Sequence, residues 1–94
     1  MPVGLLTVHL QLPGCSSLKE KRGRLRPLLA RLQRQFNLSA AEMDRLDSWD
    51  EAVIACALVG NDTVHVQRSL QQVARWIETS WLDVEVVTDE IELV

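Results

Sequence analysis

Positively charged side chains crowd the segment between Ser17 and Arg26, where the sequence pattern predicts the start of a helix. The cations of this run are Lys19, Lys21, Arg22, Arg24 and Arg26. The first turn of a helix carries a partial positive charge, so each cation there forgoes roughly a few tenths of a kcal/mol that an anion would supply. Local helix stability does not explain the run, and we infer that it serves an anionic partner.

We predict that these five cations form an RNA-binding surface of a non-catalytic accessory factor that contacts structured RNA or a ribosomal partner. A phosphate backbone binds exposed cations through charge and counterion release, with little dependence on base sequence. One competing interpretation is a solvated helix face whose arginines pair with acidic turns of the same chain. Another is a protein adaptor whose basic helix meets an acidic protein.

The net charge of −3 hides an uneven distribution of charge along the chain. Residues 17–36 hold seven cations and one anion, whereas the remainder holds three cations and twelve anions. A surface divided in this way steers charged partners, or pairs with the opposite charges of a second copy.

Catalytic chemistry has weaker support in this sequence. His9 and His65 lie on different predicted elements, and the spacing of Cys15 and Cys56 is not that of a metal or redox site. The 15–17 loop precedes a helix N-terminus, whose N–H groups can hold a phosphate, so a small enzyme acting on a phosphorylated ligand stays an alternative. We predict no catalytic residue, no metal and no cofactor.

A second cluster of charge is acidic and lies in a predicted turn. Its carboxylates are those of Glu42, Asp44, Asp47, Asp50 and Glu51. Oxygen ligands of this kind suit Mg²⁺ or Ca²⁺, but the spacing lacks the glycine and the terminal glutamate of a calcium loop. We predict a solvated hairpin turn, with Trp49 as its hydrophobic anchor.

The first strand and the first helix follow from the apolar pattern. Apolar residues at every second position in residues 5–12 are typical of a strand with one buried face. Ser17, with Glu20 three residues later, matches a capping box, and the leucines that follow predict a helix from Leu18 to Phe36. Pro27 predicts a kink on the side of the helix away from the leucines.

The remaining elements complete a β-α-β-β-α-β order. We predict a second strand over residues 37–43 with a bulge near Glu42, then a strand at 52–59 that is apolar throughout and covered on both sides. Asp62 caps a second helix, and a last strand follows at 82–86 before an acidic end at 88–94. This order predicts an α+β ferredoxin-like βαββαβ sandwich, with a four-stranded antiparallel sheet and two helices on one face.

Length and composition predict one domain over residues 1–94, in the cytoplasm and without a membrane segment. The sheet face without helices offers Leu5, Thr7, His9 and Gln11 beside either Val53, Ala55, Ala57 and Val59 or the alternate residues of that strand. It has no aromatic ring for base stacking, and its small apolar residues favour burial against another copy. We therefore predict a homodimer through this open face, the alternative being an apolar strip left in water.

Several short motifs occur together along the chain. They are Ser17-Leu18-Lys19-Glu20-Lys21-Arg22, Phe36-Asn37-Leu38-Ser39 with Ala41-Glu42, Asp47, Trp49 and Asn61-Asp62. In combination they resemble the YlxP-like family of small bacterial proteins. The resemblance implies a ferredoxin-like fold, a bacterial source and, from the genes that neighbour this family, a role near RNA or the ribosome.

Overall fold

The computed structural model describes residues 2–94 and confirms the predicted order of elements. These are β1 (Val3–Gln11), α1 (Leu18–Phe36), β2 (Ser39–Asp44), β3 (Glu51–Val59), α2 (Thr63–Ser80) and β4 (Glu85–Leu93). The strands form one antiparallel sheet in the order β2-β3-β1-β4, so the fold is the predicted ferredoxin-like α+β sandwich. Within residues 2–94, neither helix combines the length and the apolar character needed to cross a membrane.

The core lies between the helices and one face of the sheet. On β1 the buried residues include Leu6, Val8 and Leu10, and on β3 they include Ile54 and Cys56. The intervening residues of both strands point to the other face and are only half-buried. The prediction that the apolar strand is covered on both sides is therefore wrong, because both helices pack on the same face.

Helix α1 has the predicted bounds. Ser17 caps it, with its hydroxyl accepting a hydrogen bond from the Glu20 N–H at 3.0 Å, and Asn37 ends it in a left-handed conformation at φ 52°. The helix continues through Pro27, which is exposed, while Leu25, Leu28 and Leu32 are buried.

The two edge strands differ from the sequence prediction. β2 begins at Ser39, and its register shift between Glu42 and Asp44 confirms the bulge. The last strand is wrong in position, because residues 82–84 belong to the connection after α2 and Leu82 is 83% exposed. The Val84 N–H donates to the Trp81 carbonyl in that connection, and the acidic end forms β4 itself.

Candidate functional site

The five predicted RNA-binding cations of α1 divide into two groups. Lys19, Arg22 and Arg26 are exposed, and none of the ion pairs within residues 2–94 involves them. Lys21 and Arg24 turn inward and bind groups of the same chain. We call the three exposed residues the basic stripe.

Lys21 is buried, with 1% of its side chain exposed, so the prediction that it faces solvent is wrong. Its Nζ donates to the carbonyl oxygens of Arg45 at 2.6 Å and Ser48 at 2.8 Å. The same nitrogen lies 2.8 Å from Oε2 of Glu42. Lys21 therefore fastens the connection between β2 and β3 to the first turns of α1 and is not free to bind a phosphate.

Arg24 joins two connections at one end of the molecule. Its Nε donates to Oδ2 of Asp83 at 2.9 Å, and its Nη1 donates to the Pro13 carbonyl at 2.9 Å. The hydrogen bond to Asp83 raises the pKa of Arg24, so the guanidinium stays charged. Arg24 keeps 18% of its side chain exposed and is paired within the chain. The interpretation of pairing within the chain therefore applies to it, and the prediction of a cation free in solvent is wrong in part.

The basic stripe occupies one side of α1 over its first two turns. Residues 19, 22 and 26 are spaced by three and four, which places them on one helix face over about 10 Å of axis. Gly23 is exposed beside this face, and a Cβ added there would meet no atom within 4 Å apart from its chain neighbours and the backbone of α1 itself. The stripe thus borders a shallow part of the helix surface.

The acidic turn forms the connection that Lys21 holds, and we call residues 42–51 the acidic hairpin. Arg45 adopts a left-handed conformation at φ 60°, and the Ser48 N–H donates to its carbonyl at 3.0 Å. Asp44, Asp47 and Asp50 are exposed, in keeping with a solvated turn. Within residues 2–94, no three histidine, cysteine or acidic side chains are grouped as metal ligands.

Trp49 does not anchor the acidic hairpin, because 56% of it is exposed. Met43 and Leu46 are exposed as well, so three large apolar side chains lie within seven residues of chain. Lys21 supplies the anchor in place of Trp49. One sequence signal points to this role, since Lys21 lies in the same helical phase as Leu25, Leu28 and Leu32.

The open sheet face carries the predicted residues. Leu5 pairs with Ala57 and Thr7 pairs with Ala55 across β1 and β3, while β4 places Glu92 and Glu90 beside Leu5 and Thr7. β1 and β3 place no phenylalanine, tyrosine or tryptophan on this face. A phosphate backbone has no cation to bind there, so the basic stripe is the better nucleic-acid surface of the two.

The 15–17 loop does not have the features of a phosphate site. A cavity of about 290 Å³ beside Cys15 is also lined by Asp50 and Glu85, whose carboxylates repel an anion. Cys15 and Cys56 are both buried. Burial raises the pKa of Cys56 to about 11, which keeps that thiol protonated and weakly nucleophilic at neutral pH.

A groove that no sequence pattern indicated lies between the end of α1 and the start of α2. It has a volume of about 410 Å³ and is lined in part by Phe36, Asn37, His65 and Ser69. Its lining includes no aspartate, glutamate, lysine or arginine. None of the predicted site residues lies in it.

The split βαβ topology and the basic first helix define a small ferredoxin-like α+β protein with a cationic helix face. The chain belongs to the family described as "Protein of unknown function (DUF503)", whose model matches residues 3–91. It is also similar to the uncharacterised protein YlxP of Bacillus subtilis (strain 168), with 36% identity over 63 residues. That match covers 67% of this chain and 68% of YlxP, which confirms the resemblance drawn from the sequence motifs.

Proposed function

We propose that this protein is a non-catalytic accessory factor that binds structured RNA or a ribonucleoprotein through the basic stripe. The support is that Lys19, Arg22 and Arg26 are exposed, share one helix face and take part in none of the ion pairs within residues 2–94. Cations in this arrangement contact phosphate oxygens and release counterions. Lys21 and Arg24 are left out of the proposed surface because their side chains bind groups of the same chain.

The size of the stripe sets the strength of the proposed interaction. Three phosphate contacts correspond to a slope of about −2 to −3 when the logarithm of the affinity is plotted against that of the salt concentration. The affinity of such a surface for RNA is moderate and depends little on base sequence. Specificity for one RNA would therefore require further contacts.

The experiment is a titration of a fluorescent stem–loop of ribosomal RNA with the full chain at several salt concentrations. Arg22→Glu inverts the central charge of the stripe, so we expect at least tenfold weaker binding and a smaller salt slope. The matched control is Arg68→Glu, which inverts an exposed cation on α2 and should leave affinity near that of the parent protein. Binding that responds neither to salt nor to Arg22→Glu would refute the proposal.

Homodimerisation through the open sheet face stays a prediction beside this one. The observation that favours it is the half-buried apolar strip on β1 and β3, which includes Leu5, Val53 and Ala55. Ala55→Arg places a charge at the centre of that strip. Sedimentation of this variant reports whether the open face joins two copies.

A further inference from the structure

We propose that the acidic hairpin of one copy docks on the basic stripe of a second copy, in a two-fold symmetric dimer. Each copy contributes both surfaces, so the contact is made twice. This dimer covers the stripe that the proposed function assigns to RNA. Self-association therefore regulates access to that site, although the contact itself does not require RNA.

The acidic hairpin has the composition of a protein contact. Met43, Leu46 and Trp49 are all exposed within one short hairpin, whereas a small protein normally exposes large apolar residues singly. Tryptophan is enriched among the residues that dominate binding energy at protein interfaces. Asp44, Asp47 and Asp50 are interspersed with these side chains, so the surface fits a shallow apolar area with a positive rim.

The hairpin is held in shape before any partner binds. Lys21 holds the Arg45 and Ser48 carbonyls, and the Asp44 side chain accepts a hydrogen bond from the Arg45 N–H at 2.7 Å. The Ser48 hydroxyl donates to Oδ1 of Asp50 at 3.2 Å. A loop ordered in this way loses little conformational entropy on association.

The matching surface is present on α1 of the same chain. Gly23 leaves the helix backbone open beside Lys19, Arg22 and Arg26, and Pro27 extends this area as an exposed apolar ring. An exposed glycine destabilises a helix relative to alanine, so the gap is costly for folding alone. It leaves room for an apolar side chain from outside, with three cations along one side of it to meet the hairpin carboxylates.

The position of the two surfaces within one copy supports a two-fold contact. Lys21 reaches the hairpin from the same turns of α1 that carry Lys19 and Arg22, so the acidic and basic surfaces lie at the same end of α1. Within residues 2–94 no ion pair joins the carboxylates of Asp44, Asp47 or Asp50 to the stripe. Two surfaces of opposite charge at one end of a molecule can each face the other in a second copy rotated by a half-turn.

The test is sedimentation velocity of the full chain at low salt, with charge reversal on each side of the contact. Arg22→Glu and Asp47→Arg should each raise the dimer dissociation constant at least tenfold. Mixing the two variants should restore a dimer, because both copies of the contact then join opposite charges, one in the native arrangement and one with the charges exchanged. Arg68→Glu and Ala55→Arg, which lie outside the contact, should leave the dimer intact.

A second variant tests the fit of the apolar side chains. Gly23→Leu fills the gap in the stripe with a good helix former, so it should abolish the dimer while the urea midpoint stays equal to or above that of the parent chain. A parent chain that remains monomeric at low salt would overturn the proposal. A dimer that survives Arg22→Glu, or that only Ala55→Arg dissociates, would overturn it as well.

The same variants separate this inference from the proposed RNA function. Asp47→Arg should lose the dimer and keep RNA binding, because Asp47 lies outside the basic stripe. A protein that binds the stem–loop but never dimerises refutes only the dimer. A dimer that shows the charge-reversal pattern but does not bind RNA refutes only the RNA proposal.

Discussion

The ammonium group of Lys21 donates two hydrogen bonds to the acidic hairpin, and its charge is paired with a carboxylate of the same hairpin. A buried lysine is unfavourable unless its charge is paired and its hydrogens find partners. Oε2 of Glu42, 2.8 Å away, pairs the charge, and the carbonyls of Arg45 and Ser48 accept the two hydrogen bonds. Lys21 thus has a structural role within a run of cations that otherwise face solvent.

Lys21→Met tests this role at the level of one residue. Methionine keeps much of the side-chain length but leaves a partly buried carboxylate without its counter-charge and two carbonyl oxygens without their donor, so we expect a loss of about 3–5 kcal/mol in the free energy of unfolding. Urea denaturation followed by circular dichroism provides the measurement.

Lys19→Met is the control for that prediction. Lys19 lies two residues away on the same helix but is exposed, so the same change should alter the free energy of unfolding by at most about 0.5 kcal/mol. Equal effects at the two positions would contradict the structural role of Lys21.

Among the elements, α1 contains an exposed glycine and β1 contains a buried one, and the two respond in opposite ways to a methyl group. Gly23→Ala adds a Cβ that meets nothing and removes a flexible helix position, so the protein should gain up to about 1 kcal/mol. Gly4→Ala places a Cβ 2.6 Å from side-chain atoms of Leu70 and Val66 on α2 and should cost about 1–3 kcal/mol. Thermal or urea unfolding of both variants gives the signs, and a loss of stability in Gly23→Ala would contradict the packing described for α1.

Elements with strong local signals could be predicted from the sequence. The bounds of α1 follow from the Ser17 cap and the leucine spacing, and the bulge in β2 follows from the change of phase between Ala40 and Met43. β4 could not be located, because an edge strand is half-exposed and carries charges that mask its alternation. The early apolar residues Leu82 and Val84 belong instead to the turn that joins α2 to the sheet.

The candidate site could be predicted only in part, for a related reason. Residue type identifies a cation, whereas burial depends on helical phase and on what a distant loop offers. Lys21 lies in phase with the leucines, but its acceptors come from residues 24 and 27 positions later in the chain. Apart from that helical phase, nothing local distinguishes Lys21 from Lys19 or Arg22. The apolar residues of the hairpin are equally compatible with anchors and with contacts until their exposure is known.

The molecule as a whole has a strongly cationic first helix, while the rest of the chain holds most of its anions. The proposed dimer and the proposed RNA complex use the same basic stripe, so they exclude each other. Adding the ribosomal stem–loop should therefore shift the sedimentation of the chain from dimer to a complex of one chain with one RNA. An RNA-bound species that retains two chains through the hairpin would contradict this competition.

The burial of Lys21 also affects how the protein reacts with amine reagents. The chain has only two lysines, Lys19 and Lys21, and they differ sharply in access to water. An acylating reagent should modify Lys19 rapidly, and it should reach Lys21 only when the loop that covers it opens. Mass spectrometry of a peptide that contains both lysines gives the rate at which the second acyl group is added. That rate measures how often the loop opens.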